Sequence, residues 1–305
     1  MQSIKVKSPA TLSNLCCGFD ILGMALEIPF DIIELKLREE PGISITHLDE
    51  FNLPTDPKKN IAGVALQAMI DQLGYKHGFD IIIEKKIKPG SGIGSSAASA
   101  AGVVVAANHL FENRFTKNEL VSFAMEGEVL ASGSRHADNL APCIYGGLVL
   151  IRDTPTLDII ELKTPPLYIT IVHPQIEIKT SYAREILPKE IPLKSAVVQW
   201  ANVAGLITGF LHSDYKLIGR SLQDIIVEPV RSKLIPGFDL VKKNCLDAGV
   251  LGGGISGSGP SLFMLSENEA IAKAAESEMK TVYTNLGIDF KTYVSTVSKN
   301  GVEVL

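Results

Sequence analysis

The sequence predicts an α+β protein of two domains sharing one cleft, on three observations. At 305 residues it exceeds the roughly 100–200 residues of a single domain. Strand-like and helix-like runs mix without the regular βαβ rhythm of a doubly wound sheet. A proline-marked stretch, Pro155 and then Pro165-Pro166, divides residues 1–165 from residues 166–305.

Each element carries its own signal. Alternating or β-branched runs predict strands over residues 4–7, 31–37, 80–84, 148–151, 168–172 and 262–265. Apolar residues at helical spacing predict helices over 61–73, 95–111, 118–131 and 195–211, with two more over 238–248 and 269–286. Thr116 stands where a cap for the third helix belongs, and Gly205 with Gly209 would let the fourth pack closely on a neighbour. Hydrophobic residues make up 46% of the chain, enough for sizeable cores, and a net charge of −5 argues against a nucleic-acid surface. Cys16, Cys17, Cys143 and Cys245 lack metal or redox spacing and read as reduced residues of a cytoplasmic protein. No apolar run reaches the roughly 18–20 residues of a membrane span. No histidine stands at metal-ligand spacing, so a dedicated transition-metal site is not expected.

The strongest functional signal is Lys88-Pro89-Gly90-Ser91-Gly92-Ile93-Gly94-Ser95-Ser96-Ala97-Ala98, between a predicted strand and a predicted helix. Alternate glycines let the backbone approach a ligand closely, and a side chain at Gly94 is expected to occupy phosphate space. The helix start offers unpaired N–H groups and about half a positive elementary charge, which suits phosphates. No lysine follows the last glycine, so this is not a Walker A loop. The alternative is a small-residue helix merely packed tightly in a core. Lys85, Lys86 and Lys88 beside the loop read equally as a solvated strand end or as attraction for a polyanion. A second cluster, Gly252-Gly253-Gly254-Ile255-Ser256-Gly257-Ser258-Gly259-Pro260, satisfies GxGxxG through Gly252, Gly254 and Gly257 but leads into a strand, against a dinucleotide fingerprint.

Polar groups outside the loops have a local reading and a functional one. Asn14 and Asp20 alone suggest turn residues. Glu128 reads as a solvated carboxylate or as an Mg²⁺ ligand. His136 and Asp138, within Ser134-Arg135-His136-Ala137-Asp138-Asn139, read as structural hydrogen-bonders when taken singly. Arg184, near Thr180, and Arg231 read as surface residues or as bidentate carboxylate hooks.

Taken together, the glycine loop resembles the phosphate loop of the GHMP kinases. Three further segments are similar to the homoserine kinase family within that group: Ser8-Pro9-Ala10-Thr11…Asn14-Leu15…Gly18-Phe19-Asp20, His136-Ala137-Asp138-Asn139-Leu140-Ala141-Pro142, and Arg231…Leu234-Ile235-Pro236-Gly237-Phe238. The similarity runs in consistent order from Ser8 to Pro260. It implies an N-terminal domain of ribosomal-protein-S5 type and a ferredoxin-like C-terminal domain with the active site between them. Residues 88–98 would wrap the phosphates of ATP, with the 252–259 loop beneath, and Asn60 would lie near the base. Ser96 and Glu128 would hold Mg²⁺. Homoserine would be surrounded by Asn14, Asp20, His136, Asn139, Thr180, Arg184 and Arg231. A homodimer and a place in threonine biosynthesis are further implications of the resemblance alone.

Two departures bear on mechanism. The loop proline stands one position later than in many members, with Lys88 in its usual place. Asn139 occupies the position where mevalonate kinases carry an aspartate base, and homoserine kinases share the asparagine. Phosphoryl transfer tolerates a weak base, because positioning and charge neutralisation do most of the work. Asn139 is therefore expected to orient the hydroxyl, with Thr180 and Asp138 as further candidates. The rivals are another GHMP kinase, for which a neutral substrate would leave the two arginines without purpose, and a non-catalytic sensor, which would not need Ser96 and Glu128.

Overall fold

One long strand organises the first half of the chain. The computed structural model describes residues 2–133 and 135–305. β1 (Ser3–Ser13) runs antiparallel along β2 (Leu22–Arg38), whose opposite edge is shared by two other strands. β3 (Ile43–His47) pairs in parallel with β4 (Gly78–Glu84), and β4 pairs with residues 32–38 of β2. β5 (Leu148–Asp153) takes residues 22–24 of β2 and forms a hairpin with β6 (Asp158–Leu162).

Both β1 and β2 extend well beyond their expected ranges. Ile33 and Leu35 are buried while Glu34 and Lys36 are less so, which gives the alternation seen in the sequence. Residues 8–13 and 22–26 are buried on both faces, so no alternation marks them.

Four helices cover this sheet. α1 (Ile61–Leu73) crosses between β3 and β4. α2 (Ser95–Leu110) has thirteen of sixteen residues buried, because its alanines, glycine and serines let neighbours approach from every side. α3 (Lys117–Ser132) starts on a full capping box, with Thr116 accepting from the Glu119 N–H and the Glu119 carboxylate accepting from the Thr116 N–H. α4 (Leu140–Tyr145) is short and escaped the periodicity reading. Ile33, Leu35, Leu66, Phe79 and Val103 lie in the core between sheet and helices.

The second half is a four-stranded antiparallel sheet. β7 (Tyr168–Pro174), β8 (Gly252–Ile255), β9 (Leu262–Ser266) and β10 (Phe290–Thr296) stand in the order β10-β7-β9-β8. α5 (Thr180–Glu185), α6 (Leu193–His212), α7 (Tyr215–Ser221), α8 (Glu228–Arg231), α9 (Phe238–Asp247) and α10 (Glu269–Leu286) complete it. The Gly205/Gly209 expectation holds: a Cβ on Gly205 would lie 2.5 Å from Ser221 Oγ, and one on Gly209 2.9 Å from the Ile218 nitrogen. Finally β11 (Glu303–Val304) returns to pair with β1, giving the first sheet seven strands. Pro155 lies in the turn between β5 and β6, while Pro165-Pro166 lies on the passage to the second sheet. A separate apolar cluster joins the halves, with Leu12, Met24 and Ile87 against Ile169, Phe210 and Phe263. Among the described residues no helix is long and apolar enough to cross a membrane.

The lysine run beside the glycine loop divides, with Lys86 exposed at the strand end and Lys85 buried and paired. The Lys85 Nζ lies 2.6 Å from Asp31 Oδ2, with 2% and 0% of their side chains exposed. It also donates to the Ser95 carbonyl and the Ser99 hydroxyl, each at 2.9 Å. Lys86 pairs with Glu84. Removing one partner of such a pair strands a buried charge. Asp31→Ala is therefore expected to lower the unfolding free energy by about 3–5 kcal/mol, read as a lower urea midpoint. An unshifted midpoint would show the pair to be dispensable.

Candidate active site

The glycine loop connects β4 to α2, and protein atoms hold it from both sides. Gly94 has φ +72° and would, with a Cβ, bring that atom within 2.0 Å of Thr11 Oγ1. The glycine is thus required first by β1 behind the loop, rather than by phosphate space as the sequence suggested. Gly92, at φ +81°, would bring a Cβ 2.6 Å from the Gly259 carbonyl. That carbonyl belongs to the second glycine cluster, which is a β8–β9 hairpin turn and not a nucleotide fingerprint. The turn braces the first loop: Ser256 Oγ donates to the Gly92 carbonyl at 2.7 Å, and the Ser261 N–H to the Ser91 carbonyl at 3.2 Å.

The two serines at the start of α2 part company. Ser95 Oγ is committed to the Ile87 carbonyl, whereas Ser96 Oγ donates to Glu128 Oε2 at 2.9 Å. No side chain caps the Gly94 end of α2, and Gly94, Ser95 and Ser96 line the cleft. The cleft encloses about 320 Å³, within the range of small-molecule sites.

Its other wall is built by a strained turn. Asn14, Leu15 and Cys16 have φ of +71°, +42° and +63° in succession, a left-handed path that non-glycine residues rarely take. Leu15 at 0% and Cys16 at 4% exposure are buried, which holds the turn in place. Asn14 Oδ1 accepts from the Asp20 N–H at 3.0 Å, and its Nδ2 donates to the Gly257 carbonyl at 2.9 Å.

Charged and polar groups converge beyond that turn. Arg184 Nη2 meets both Asp20 oxygens, at 2.8 and 3.1 Å. Arg231 donates to the Ala183 and Gly257 carbonyls, at 2.9 and 3.0 Å. Burial and the neighbouring Arg184 push its pKa down to about 10. Both guanidiniums lie over one ring, 5.3 and 5.2 Å from the centroid of Phe19. Burial holds His136 below its ordinary pKa, and its Nδ1 lies 4.0 Å from Asp20. The Thr180 and Ser258 hydroxyls, both lining the cleft, are hydrogen-bonded at 3.3 Å.

Asn139 sits between these groups and the loop. Its Oδ1 accepts from the Thr11 hydroxyl at 2.8 Å and its Nδ2 donates to Ser13 Oγ at 2.9 Å. An amide has two N–H groups and two lone pairs, so one of each remains for a ligand. Next to it, Asp138 is raised to a pKa of about 7 by burial and by the charges of Asp20 and Glu128.

The cleft therefore gathers most of the residues expected from the sequence. Pro89, Gly90, Ser91, Gly92, Gly94, Ser95, Ser96 and Glu128 line its loop side, and Asn14, Asp20, His136, Asn139, Thr180, Arg184 and Arg231 its other side. Ile93, Ala97 and Ala98 are buried behind the loop. Lys88 Nζ reaches across to Gln175 Oε1 at 2.7 Å. Asn60 caps α1 through the Ala62 and Gly63 N–H groups, while its neighbours Leu53 and Ile61 line the cleft. Ser134 lies outside the described residues. The sequence reading gave no role to Ser13, Phe19 or Ser258, although Ser13 and Phe19 stood in the 8–20 segment and Ser258 in the second glycine loop.

A family model for the GHMP kinases N terminal domain matches residues 60–147, and one for GHMP kinases C terminal matches residues 206–285. A homoserine kinase of Chlorobaculum tepidum is 43% identical, covering 100% of this chain and 99% of its own. One of Methanocella arvoryzae is 41% identical over 100% and 98%. The crystal structure of homoserine kinase from Cytophaga hutchinsonii matches with a TM-score of 0.96 and 49% identity, covering 100% of this chain and 98% of that one. Mevalonate kinase of L. major shares the fold, with a TM-score of 0.75 at 17% identity over 97% and 96%. The chain belongs to the GHMP kinases, within their homoserine kinase family.

Proposed function

We propose that the protein transfers the γ-phosphoryl group of ATP to the side-chain hydroxyl of L-homoserine, giving O-phospho-L-homoserine and ADP as a step of threonine biosynthesis. The observation that carries this reading is a single cleft with a phosphate-type loop on one side and a zwitterion-matching charge set on the other. We assign the nucleotide to residues 1–165 and much of the carboxylate recognition to residues 166–305. The reduced, buried cysteines fit a cytoplasmic enzyme.

Homoserine brings a carboxylate and an ammonium into the cleft. Arg184 and Arg231 offer guanidinium forks to the carboxylate; Asp20 and Asn14 offer oxygens to the ammonium. Arg184 and Asp20 are paired with each other, so binding homoserine exchanges one ion pair for two. A neutral alcohol has nothing to exchange for that pair. Asn139 orients the hydroxyl with its remaining N–H and lone pair and cannot itself take the proton. The proton leaves to solvent or to phosphate; Asp138 is the nearby group that titrates closest to neutrality. The backbone of the loop and the start of α2 receive the phosphates.

The residues also suit Mg²⁺. Ser96 and Glu128 bring two hard oxygens to 2.9 Å of each other at the start of α2, in keeping with an ion that takes one or two carboxylates plus phosphates. When bound, Mg²⁺ would neutralise phosphate charge.

A coupled ADP-release assay across homoserine, galactose and mevalonate tests the substrate; a preference for either of the latter would overturn the reading. Arg184→Met is expected to lower kcat/KM for homoserine by at least about 30-fold with ATP affinity nearly unchanged. A loss below about threefold would remove the arginine from substrate recognition. Glu128→Gln is expected to lower kcat far more than it raises the KM for homoserine, the defect being greatest at limiting Mg²⁺. Wild-type turnover under those conditions would refute the ligand assignment.

A further inference from the structure

We propose that Thr11 and Ser13 are positioning residues that clamp the Asn139 amide at both ends and so aim it at the reacting hydroxyl. The inference rests on the reading of Asn139 as the group that orients the substrate hydroxyl.

Thr11 and Ser13 are alternate residues of β1 and so project from one face of it. Both are buried, at 0% and 1% exposure. Thr11 Oγ1 donates to Asn139 Oδ1 at 2.8 Å, and Asn139 Nδ2 donates to Ser13 Oγ at 2.9 Å. The amide is thus gripped at both ends, its carbonyl by the Thr11 proton and its NH₂ by a Ser13 lone pair. One N–H and one lone pair stay outside that grip.

The same residues tie the amide to the nucleotide side. The Thr11 N–H donates to the Ile93 carbonyl at 3.1 Å. A Cβ built on Gly94 would lie 2.0 Å from Thr11 Oγ1 and 3.2 Å from Asn139 Oδ1, so the loop backbone rests on the Thr11–Asn139 contact. Ser13 reaches the opposite half through its carbonyl, which accepts from the Gly257 N–H at 3.5 Å. Strand β1 thus sets loop, amide and second half in one register. Misalignment of the amide costs near-attack geometry rather than affinity, so the loss belongs in kcat.

The test is steady-state kinetics of Thr11→Val, Thr11→Ser, Ser13→Ala and Asn139→Ala, singly and combined. Thr11→Val keeps the shape but lacks the hydroxyl. It is expected to lower kcat about 10-fold while the KM for ATP stays within about twofold. Thr11→Ser, which restores the hydroxyl, is expected to return kcat to within about threefold of wild type. With the amide removed the hydroxyl has nothing to hold, so Thr11→Val/Asn139→Ala is expected to be no slower than Asn139→Ala. A Thr11→Val enzyme with wild-type kcat, or a double variant whose losses multiply, overturns the inference. If Thr11→Val does not fold, the Ser13→Ala/Asn139→Ala cycle decides by the same outcomes. Undiminished turnover in Asn139→Ala overturns the role given to Asn139 and this inference with it. A crippled Asn139→Ala beside an intact Thr11→Val overturns this inference alone.

Discussion

The ammonium of Lys85 closes the base of the phosphate loop, and the nucleotide side of the cleft depends on that closure. An ammonium has three N–H donors, and here all three are used: on Asp31 Oδ2, on the Ser95 carbonyl and on the Ser99 hydroxyl. Lys85 is where the chain leaves β4 and Ser95 is where α2 begins, so one side chain pins both ends of the intervening segment. The second Asp31 oxygen accepts from the Lys86 and Ile87 N–H groups, at 2.7 and 2.9 Å, which fixes the exit direction. Such a site is expensive to bury and rewarding only when every bond is made. With the ends fixed, the glycines between them need only follow the surfaces of β1 and the β8–β9 turn.

The opposite wall depends on two arrangements that are unfavourable in isolation. Three successive left-handed residues turn the end of β1, at roughly 1–2 kcal/mol each for non-glycine residues. Burial and the neighbouring Arg184 disfavour the charge of Arg231. The first is held by buried apolar side chains, and the second by the Phe19 ring, the Asp20 carboxylate and backbone carbonyls. Strain and like-charge crowding of this kind gather at ligand sites, where the missing counter-charge arrives with the ligand.

The helices and the glycine loop were legible in the sequence because their signals are local. α1 and α10 begin and end where periodicity places them, and the Thr116 box is complete. Strand boundaries were less legible where burial on both faces erases alternation, as in residues 22–26, or where glycines leave no pattern, as in β8. The short helices α4, α5, α7 and α8 offer too few turns to show a period. The cleft residues came chiefly from the resemblance: nothing in the spacing of Asp20 and Arg184 announces that they meet. Lys85 looked like part of a surface charge run because burial by a distant aspartate has no sequence signature. Thr11 and Ser13 were invisible as functional groups for the opposite reason, since hydroxyls on a buried strand read as ordinary core polar residues.

The return of the last strand to the first sheet has a mechanical consequence. The chain passes between the halves over residues 163–167 and again over residues 297–302, where Ser298 is hydrogen-bonded to Ala25 and Gly147. Both passages meet the start of β5, since Leu148 pairs with Leu162 and the Gly147 N–H donates to the Ser298 carbonyl. The second half is therefore tied to the first at one strand end by two crossings side by side, and neither can part from it without breaking backbone hydrogen bonds there.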